Sequence, residues 1–358
     1  MYSISINDAI CAWVLSVVMR SNTSEKIGLG LGYDAQLTIT DMIPWVKEAE
    51  ARGFDLVFFS ETIMTLRDAI SCLSAFSVST NRIQLGCTQI VRTRTPLVMA
   101  QTFATLDELS NKRIFVSLGA CTKSHCKKNG LEYIDAAESL KEYIIVIKKL
   151  LTGSEVSYNG STMKIENSKI SFKPPRPDLP LYVAATSRKG LEIAGMYGDG
   201  VLLNATTSVE YCKNAIRIVR ESAEKVGRNP NDLFIAGIIV ASVADNSAEA
   251  VEHARKEVAT KLEPLQVDFA IRPRLKVGEP YINEELIDKL LKSYNMGGFE
   301  KLVRDIPEEV VRGFTACGTA KEVRERIEEY RKVGVQLPIV RPADKFVFKS
   351  TFNAISPS

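Results

Sequence analysis

The stretch VAATSRKGLEIAG, Val183–Gly195, runs from small strand residues straight into a helix. Its turn holds Thr186, Ser187 and Arg188. Two hydroxyls, a guanidinium and the free N–H groups of a helix start together suit a phosphate. The same hydroxyls also serve as ordinary helix N-caps, so both readings stand at this level. Other strand ends carry similar chemistry: Cys87, Thr88 and Gln89 follow one apolar run, Gly119 and Ala120 close a second, and Ala185 and Asn204 close two more. Glu61 and Thr62 follow the all-apolar segment FDLVFFS. A carboxylate at the end of such a strand is either a site residue or the partner of a nearby arginine, here Arg67 or Arg92. These strand ends hold no histidine, no paired carboxylates and no Ser-His-Asp set, which hydrolytic chemistry would require. Small residues, amides and hydroxyls suit a large cofactor that brings its own reactivity.

The two histidines add little. His125 lies in the loop after the fourth strand, within reach of a cleft, and His253 sits mid-helix among charges. Cys121, His125 and Cys126 cluster locally but match no zinc spacing and have no second half, so no metal is expected. The seven cysteines are scattered and odd in number, which fits reduced thiols in the cytoplasm better than a disulfide framework.

The elements that position these residues alternate from Lys26 onward. Strands are expected at 26–33, 54–60, 82–86, 113–119, 179–185, 199–204, 233–242 and 335–340. Helices are expected at 38–53, 67–80, 96–109, 136–151, 188–197, 209–226, 248–262 and 320–333. Buried parallel strands need such helical crossovers, and eight units in one chain point to an α/β fold of the (β/α)8 TIM-barrel type, although the strand count alone does not separate a closed barrel from a doubly wound sheet. Two stretches break the rhythm. Residues 152–178 alternate about Asn159-Gly160, a hairpin signal. Residues 264–317 are polar and partly helical, with MGGFEKL, Met296–Leu302, marking a bend; this insert is expected to act as a lid. Residues 1–25 read as an N-terminal extension: Ala9–Met19 is an eleven-residue apolar run, too short to span a bilayer and without preceding basic residues. It reads as an added helix or as sequence upstream of a start at Met19. Residues 343–358 read as a C-terminal tail.

With 46 Lys and Arg against 43 Asp and Glu, the net charge of +3 suits neither a nucleic-acid binder nor a membrane-surface protein. A small-molecule substrate is the expected partner.

The segment NRIQLGCTQIVRTRTPLVMAQTFATLDELSNKRIFVSLGAC, Asn81–Cys121, resembles the signature of the bacterial-luciferase-like oxidoreductases, the ATLDELSNKR block most specifically. LPLYVAATSRKGLEIAGMYGDGVLLNA, Leu179–Ala205, and FTACGTAKEVRERIEEYRKVGV, Phe314–Val335, are similar to later segments of that family. The resemblance is strongest to the archaeal branch typified by coenzyme F420-dependent methylenetetrahydromethanopterin reductase. It implies a barrel with an insertion, a homodimer built on early helices, and coenzyme F420, a deazaflavin, in the barrel mouth, with FMN as the alternative. It further implies hydride transfer to a carbon electrophile with Glu61 as acid or proton relay, or else FMN monooxygenation, or a non-catalytic relative. By motif position Thr62, Cys87, Thr88, Gln89, Gly119, Ala120, Ala185 and Asn204 would contact the ring or its chain. Thr186, Ser187 and Arg188 would hold the phosphate. A cis peptide is implied at Thr88-Gln89. The chain departs from the pattern at Glu61-Thr62, which replaces Asp-His, at Gly30, which replaces a glutamate, and at Thr122, which replaces an acid.

Overall fold

The computed structural model describes residues 26–32, 34–60 and 65–357. The N-terminal extension, Glu61 and Thr62 lie outside the described residues.

Eight parallel strands close into a barrel: β1 (Gly28–Leu31), β2 (Leu56–Phe59), β3 (Gln84–Ile90), β4 (Ile114–Gly119), β7 (Leu181–Ala185), β8 (Gly200–Leu203), β9 (Phe234–Val243) and β11 (Leu337–Pro342). Each pairs with the next, β8 pairs with β9, and β11 returns to β1. The outer layer is α1 (Ile39–Ala51), α2 (Ala69–Ser79), α3 (Pro96–Leu109), α5 (Ala136–Leu151), α6 (Arg188–Tyr197), α7 (Val209–Glu224) and α13 (Ala320–Lys332), while α8 (Ser247–Leu262) packs with the second insert. These helices start where the side chains permit. Thr38, Asp68, Thr95, Ser187 and Ser208 each accept a backbone N–H of the first turn.

The barrel interior is stratified. Phe115, Tyr182 and Phe234, near the amino ends of their strands, form an aromatic floor, with the Phe115 and Tyr182 rings stacked at 4.1 Å. Leu56, Phe58, Leu202, Ile238 and Ile339 fill the middle. Above them Thr88, Ser117 and Asn204 bring hydroxyls and an amide to the carboxyl end, beside an apolar cluster of Val240, Ala343 and Val347.

Four features differ from the expectations. Strand β3 runs on to Ile90, so Cys87, Thr88 and Gln89 lie within it rather than after it. The polar loop after β4 contains a short helix, α4 (Lys123–Lys128), capped by Thr122. The last strand has its own helix, α14 (Phe348–Ile355), so 343–358 is part of the body. Phe348 and Phe352 pack on Trp45, and Phe352 stacks on Phe54. No cis peptide bond occurs among the described residues, so the expected one at Thr88-Gln89 is not found.

The hairpin formed by β5 (Val156–Asn159) and β6 (Lys164–Ser168) precedes β7 and sits at the amino end of the barrel. There Arg176, which follows it, pairs with Asp107 at the end of α3 and donates to Ile114 O. The second insert lies at the opposite end. It comprises α9 (Val267–Ala270), α10 (Arg272–Leu275), α11 (Glu284–Asp305), α12 (Glu308–Phe314) and β10 (Ala316–Gly318), which pairs with β9. It has a core of its own with α8, built on Ile287, Leu290, Leu302 and Phe314. Gly297 and Gly298 (φ 65°) break α11 where the sequence placed a bend.

Candidate active site

Alternation along each strand decides which side chains reach the mouth. On β3 and β4, Thr88 and Ser117 face each other across the ladder, with 2.7 Å between their hydroxyls. Ser117 also reaches Cys87 O at 3.2 Å. Gly119 lies two residues above Ser117 on the same face, and a methyl group there would stand 3.4 Å from Thr88 Cγ2. Thr88, Ala120, Thr186 and Asn204 are half-buried, unlike the fully buried strand residues beneath them. The mouth is therefore open at Thr88, Thr186 and Asn204 and walled by small groups, while Ala120 packs toward the helix layer.

The same alternation turns other candidates away. Cys87 and Ala185 pack in the layer between strands and helices, which makes Thr88 and Ala184 the mouth-facing neighbours. Gln89 is buried toward α2 and α3, where its Oε1 accepts from Arg94, itself paired with Asp68 at 2.9 Å. Ser187 spends its hydroxyl as the N-cap of α6, accepting Gly190 N–H at 3.2 Å. Thr186 is held through its carbonyl by the Tyr211 hydroxyl at 2.8 Å, and Arg188 is exposed at the helix start.

Of three further features of the site, Arg341 and Ser242 are readable in the sequence as strand-end residues, whereas Ser117 lies within its strand. Ser117 shares a face with Gly119, so strand parity could have found it. Arg341 ends β11 on the inner face and is paired with Glu257 of α8, a residue that in HARKEVATKL looks like one more exposed helix charge. Ser242 falls on the inner face of β9, and its buried hydroxyl oxygen has no hydrogen-bond partner.

The insert roofs one side. Arg274, fully buried, donates to Ala205 O at 3.1 Å and to Thr206 O, just beyond Asn204. Burial holds its guanidinium below the usual arginine range. Phe269 stands 6.1 Å from the His125 ring, which burial pushes below its ordinary pKa, and Thr122 Oγ1 lies 2.9 Å from His125 Nδ1. His125 thus supports the roof rather than the mouth floor. His253 pairs with Asp344 at 2.7 Å, two residues past the end of β11. Surface hollows lined by residues of Glu285–Met296 and of the 156–168 hairpin lie on the inserts. No cluster of three or more metal-binding side chains occurs among the described residues, and no described helix is long and apolar enough to cross a membrane.

Residues 19–337 match the family model of luciferase-like monooxygenases. Among curated proteins, the chain is 28% identical over 294 residues to 5,10-methylenetetrahydromethanopterin reductase of Methanolobus tindarius, covering 81% of this chain and 86% of that one. It is 30% identical over 301 residues to F420-dependent glucose-6-phosphate dehydrogenase of Beutenbergia cavernae, covering 79% and 86%. Among solved structures, the coenzyme F420 dependent tetrahydromethanopterin reductase of Methanopyrus kandleri superposes with a TM-score of 0.79 at 23% identity, over 92% of this chain and 97% of that one. The fold is shared with that structure.

Proposed function

The chain belongs to the luciferase-like monooxygenase family, and on that premise we propose that it is a coenzyme F420-dependent oxidoreductase. The observation that carries this reading is the stratified barrel: an aromatic floor below, and above it half-open strand ends that offer hydroxyls, an amide and small groups, with the Arg341–Glu257 ion pair on one side. Such a surface seats a planar ring and leaves the chemistry to it. The relatives named for F420 support the deazaflavin over FMN.

When bound, the reduced deazaflavin supplies a hydride. The chain's own residues would hold and orient it. Thr88 and Ser117 offer paired hydroxyls on one wall, Asn204 an amide on another, and Gly119 leaves room between them. Ser242 has an unused hydroxyl for a polar edge. Thr186, Ser187 and Arg188 would bind the phosphate with the first turn of α6. The insert, fastened by Arg274, would exclude water from one side. Glu61 would move a proton to or from the substrate.

For the substrate we propose a carbon electrophile of the pterin-imine kind, as in the reductase relatives. For the assembly we propose a homodimer. Val78 on α2 and Val98 and Leu109 on α3 expose apolar side chains, which suits an interface on these early helices. The cytoplasmic reading rests on the seven scattered cysteines, an odd number that suits reduced thiols.

Thermal-shift titration tests the cofactor, because a ligand that binds only the folded state raises its melting point. Coenzyme F420 should stabilise the protein in a saturable way and FMN should not. Stabilisation by FMN alone would replace the reading with flavin-dependent monooxygenation, and a response to neither would mark a non-catalytic relative. Light scattering of the purified chain tests the dimer.

A further inference from the structure

The loop that follows β4 holds two sulfurs in contact. Cys121 Sγ and Cys126 Sγ are 3.4 Å apart, and both residues are fully buried. Cys121 follows Gly119 and Ala120 at the barrel mouth, and Cys126 sits in α4, six residues long and anchored by Thr122. Arg92 Nη1 donates to Cys126 Sγ at 3.2 Å. Buried cysteines often serve as small apolar groups. A purely apolar pair, however, would not draw a guanidinium onto one of its sulfurs. The positive charge also favours that sulfur when it develops negative charge as a nucleophile.

We propose that Cys121 and Cys126 are a redox-modification site, forming a reversible intrachain disulfide when the protein meets a peroxide. Cys126 is the attacking sulfur because Arg92 stands beside it. Its sulfur attacks one peroxide oxygen, the O–O bond breaks, one water leaves and a sulfenic acid forms. The Cys121 sulfur then attacks the Cys126 sulfur, the S–S bond forms and the second water leaves. Two thiols lose two electrons and two protons, and one peroxide becomes two waters. Burial pushes the Cys121 thiol up to about 12, which suits the second, resolving role better than the first. Bond formation draws the sulfurs from 3.4 Å to about 2 Å and so pulls α4, with His125 against Phe269, toward the end of β4.

The test uses the folded full-length chain, reduced and then exposed to hydrogen peroxide, after which the peroxide is removed and the chain is unfolded in denaturant containing N-ethylmaleimide, so that every remaining free thiol is blocked. The blocked thiols should fall by two from the seven of the reduced chain, and dithiothreitol should restore them. Trypsin cuts after Lys123, between the two cysteines, so unreduced digests should contain IFVSLGACTK joined to SHCK. In Cys121→Ser, Cys126 should instead be trapped by dimedone as the sulfenic acid. Seven blocked thiols after oxidation, a link between other cysteines, or Cys126 oxidised beyond sulfenic acid while Cys121 remains blocked would each overturn the proposal. The wild-type digest decides the matter if the serine variant fails to fold.

Discussion

Arg341 on the last barrel strand donates to Glu257 in α8, and their side chains are only 7% and 13% exposed. Burial alone would raise the Glu257 carboxyl, but Arg341 and then Lys261 outweigh it and hold it below its ordinary range. Removing one partner leaves a buried charge alone. Glu257→Leu should therefore cost about 3–5 kcal/mol in urea unfolding, and the double variant Glu257→Leu/Arg341→Met should recover most of it. Equal losses in the single and double variants would show that the pair is not coupled.

Gly30 and Arg341 meet on the inner face of the barrel. A methyl group on Gly30 would lie 2.7 Å from Arg341 Cβ and 3.1 Å from its Cα, atoms that cannot swing aside. Gly30→Ala should destabilise by about 1–3 kcal/mol, the usual cost of overpacking. It should also shift Arg341 from Glu257, so Gly30→Ala and Glu257→Leu should be sub-additive in a double-mutant cycle.

Glu142 of α5 is buried and closes the hairpin loop. Its carboxylate accepts Ser161 N–H at 2.6 Å, Thr162 N–H at 3.0 Å and both hydroxyls. Burial raises its carboxyl, yet these bonds together bring it below the ordinary value of 4.5. A depressed native pKa gives stability that is present above the unfolded pKa and lost as pH falls through the native one. The wild type should therefore lose stability below about pH 4.5, the ordinary glutamate range. Glu142→Gln keeps one acceptor but turns an NH2 toward two donors. It should cost about 2 kcal/mol at neutral pH and flatten the acid limb of a melting-temperature profile.

The barrel was legible because its period is coarse. Buried strands, capped helices and the Gly297-Gly298 break each leave local marks. Helix α14 also left one, with Phe348, Thr351, Phe352 and Ile355 at helical spacing, but eight residues at a chain end read easily as a tail. The ATLDELSNKR block proved recognisable for structural reasons. Asp107 pairs with Arg176, and the buried Arg113 guanidinium donates to Ser110 O, Thr80 Oγ1, Ile83 O, Ser77 O and Thr80 O. The site was harder to read, because membership depends on parity within a strand. One residue of uncertainty in where β3 ends moves a side chain from the mouth to the helix layer. Cys87 and Gln89 were placed beside Thr88 for that reason. Partners distant in sequence, such as Glu257 for Arg341, leave no local trace at all.

That parity yields a direct test on neighbouring residues. Thr88→Val keeps the shape of the side chain and removes only its hydroxyl. Ser117 retains its bond to Cys87 O at 3.2 Å, so no donor is orphaned. Stability should stay within about 1 kcal/mol of the wild type, the net worth of one neutral hydrogen bond. Coenzyme F420 should bind about tenfold more weakly, the equivalent of roughly 1.4 kcal/mol. Cys87→Ser makes the opposite change: it puts a hydroxyl into the apolar layer between strands and helices. Its melting temperature should fall, with cofactor affinity nearly unchanged. Fluorescence titration and thermal melts on the two variants give four numbers. The reverse pattern, with affinity lost at Cys87 and kept at Thr88, would mean that β3 presents its other face to the mouth, and the assignment of Ser117 and Gly119 as its neighbours there would fail with it.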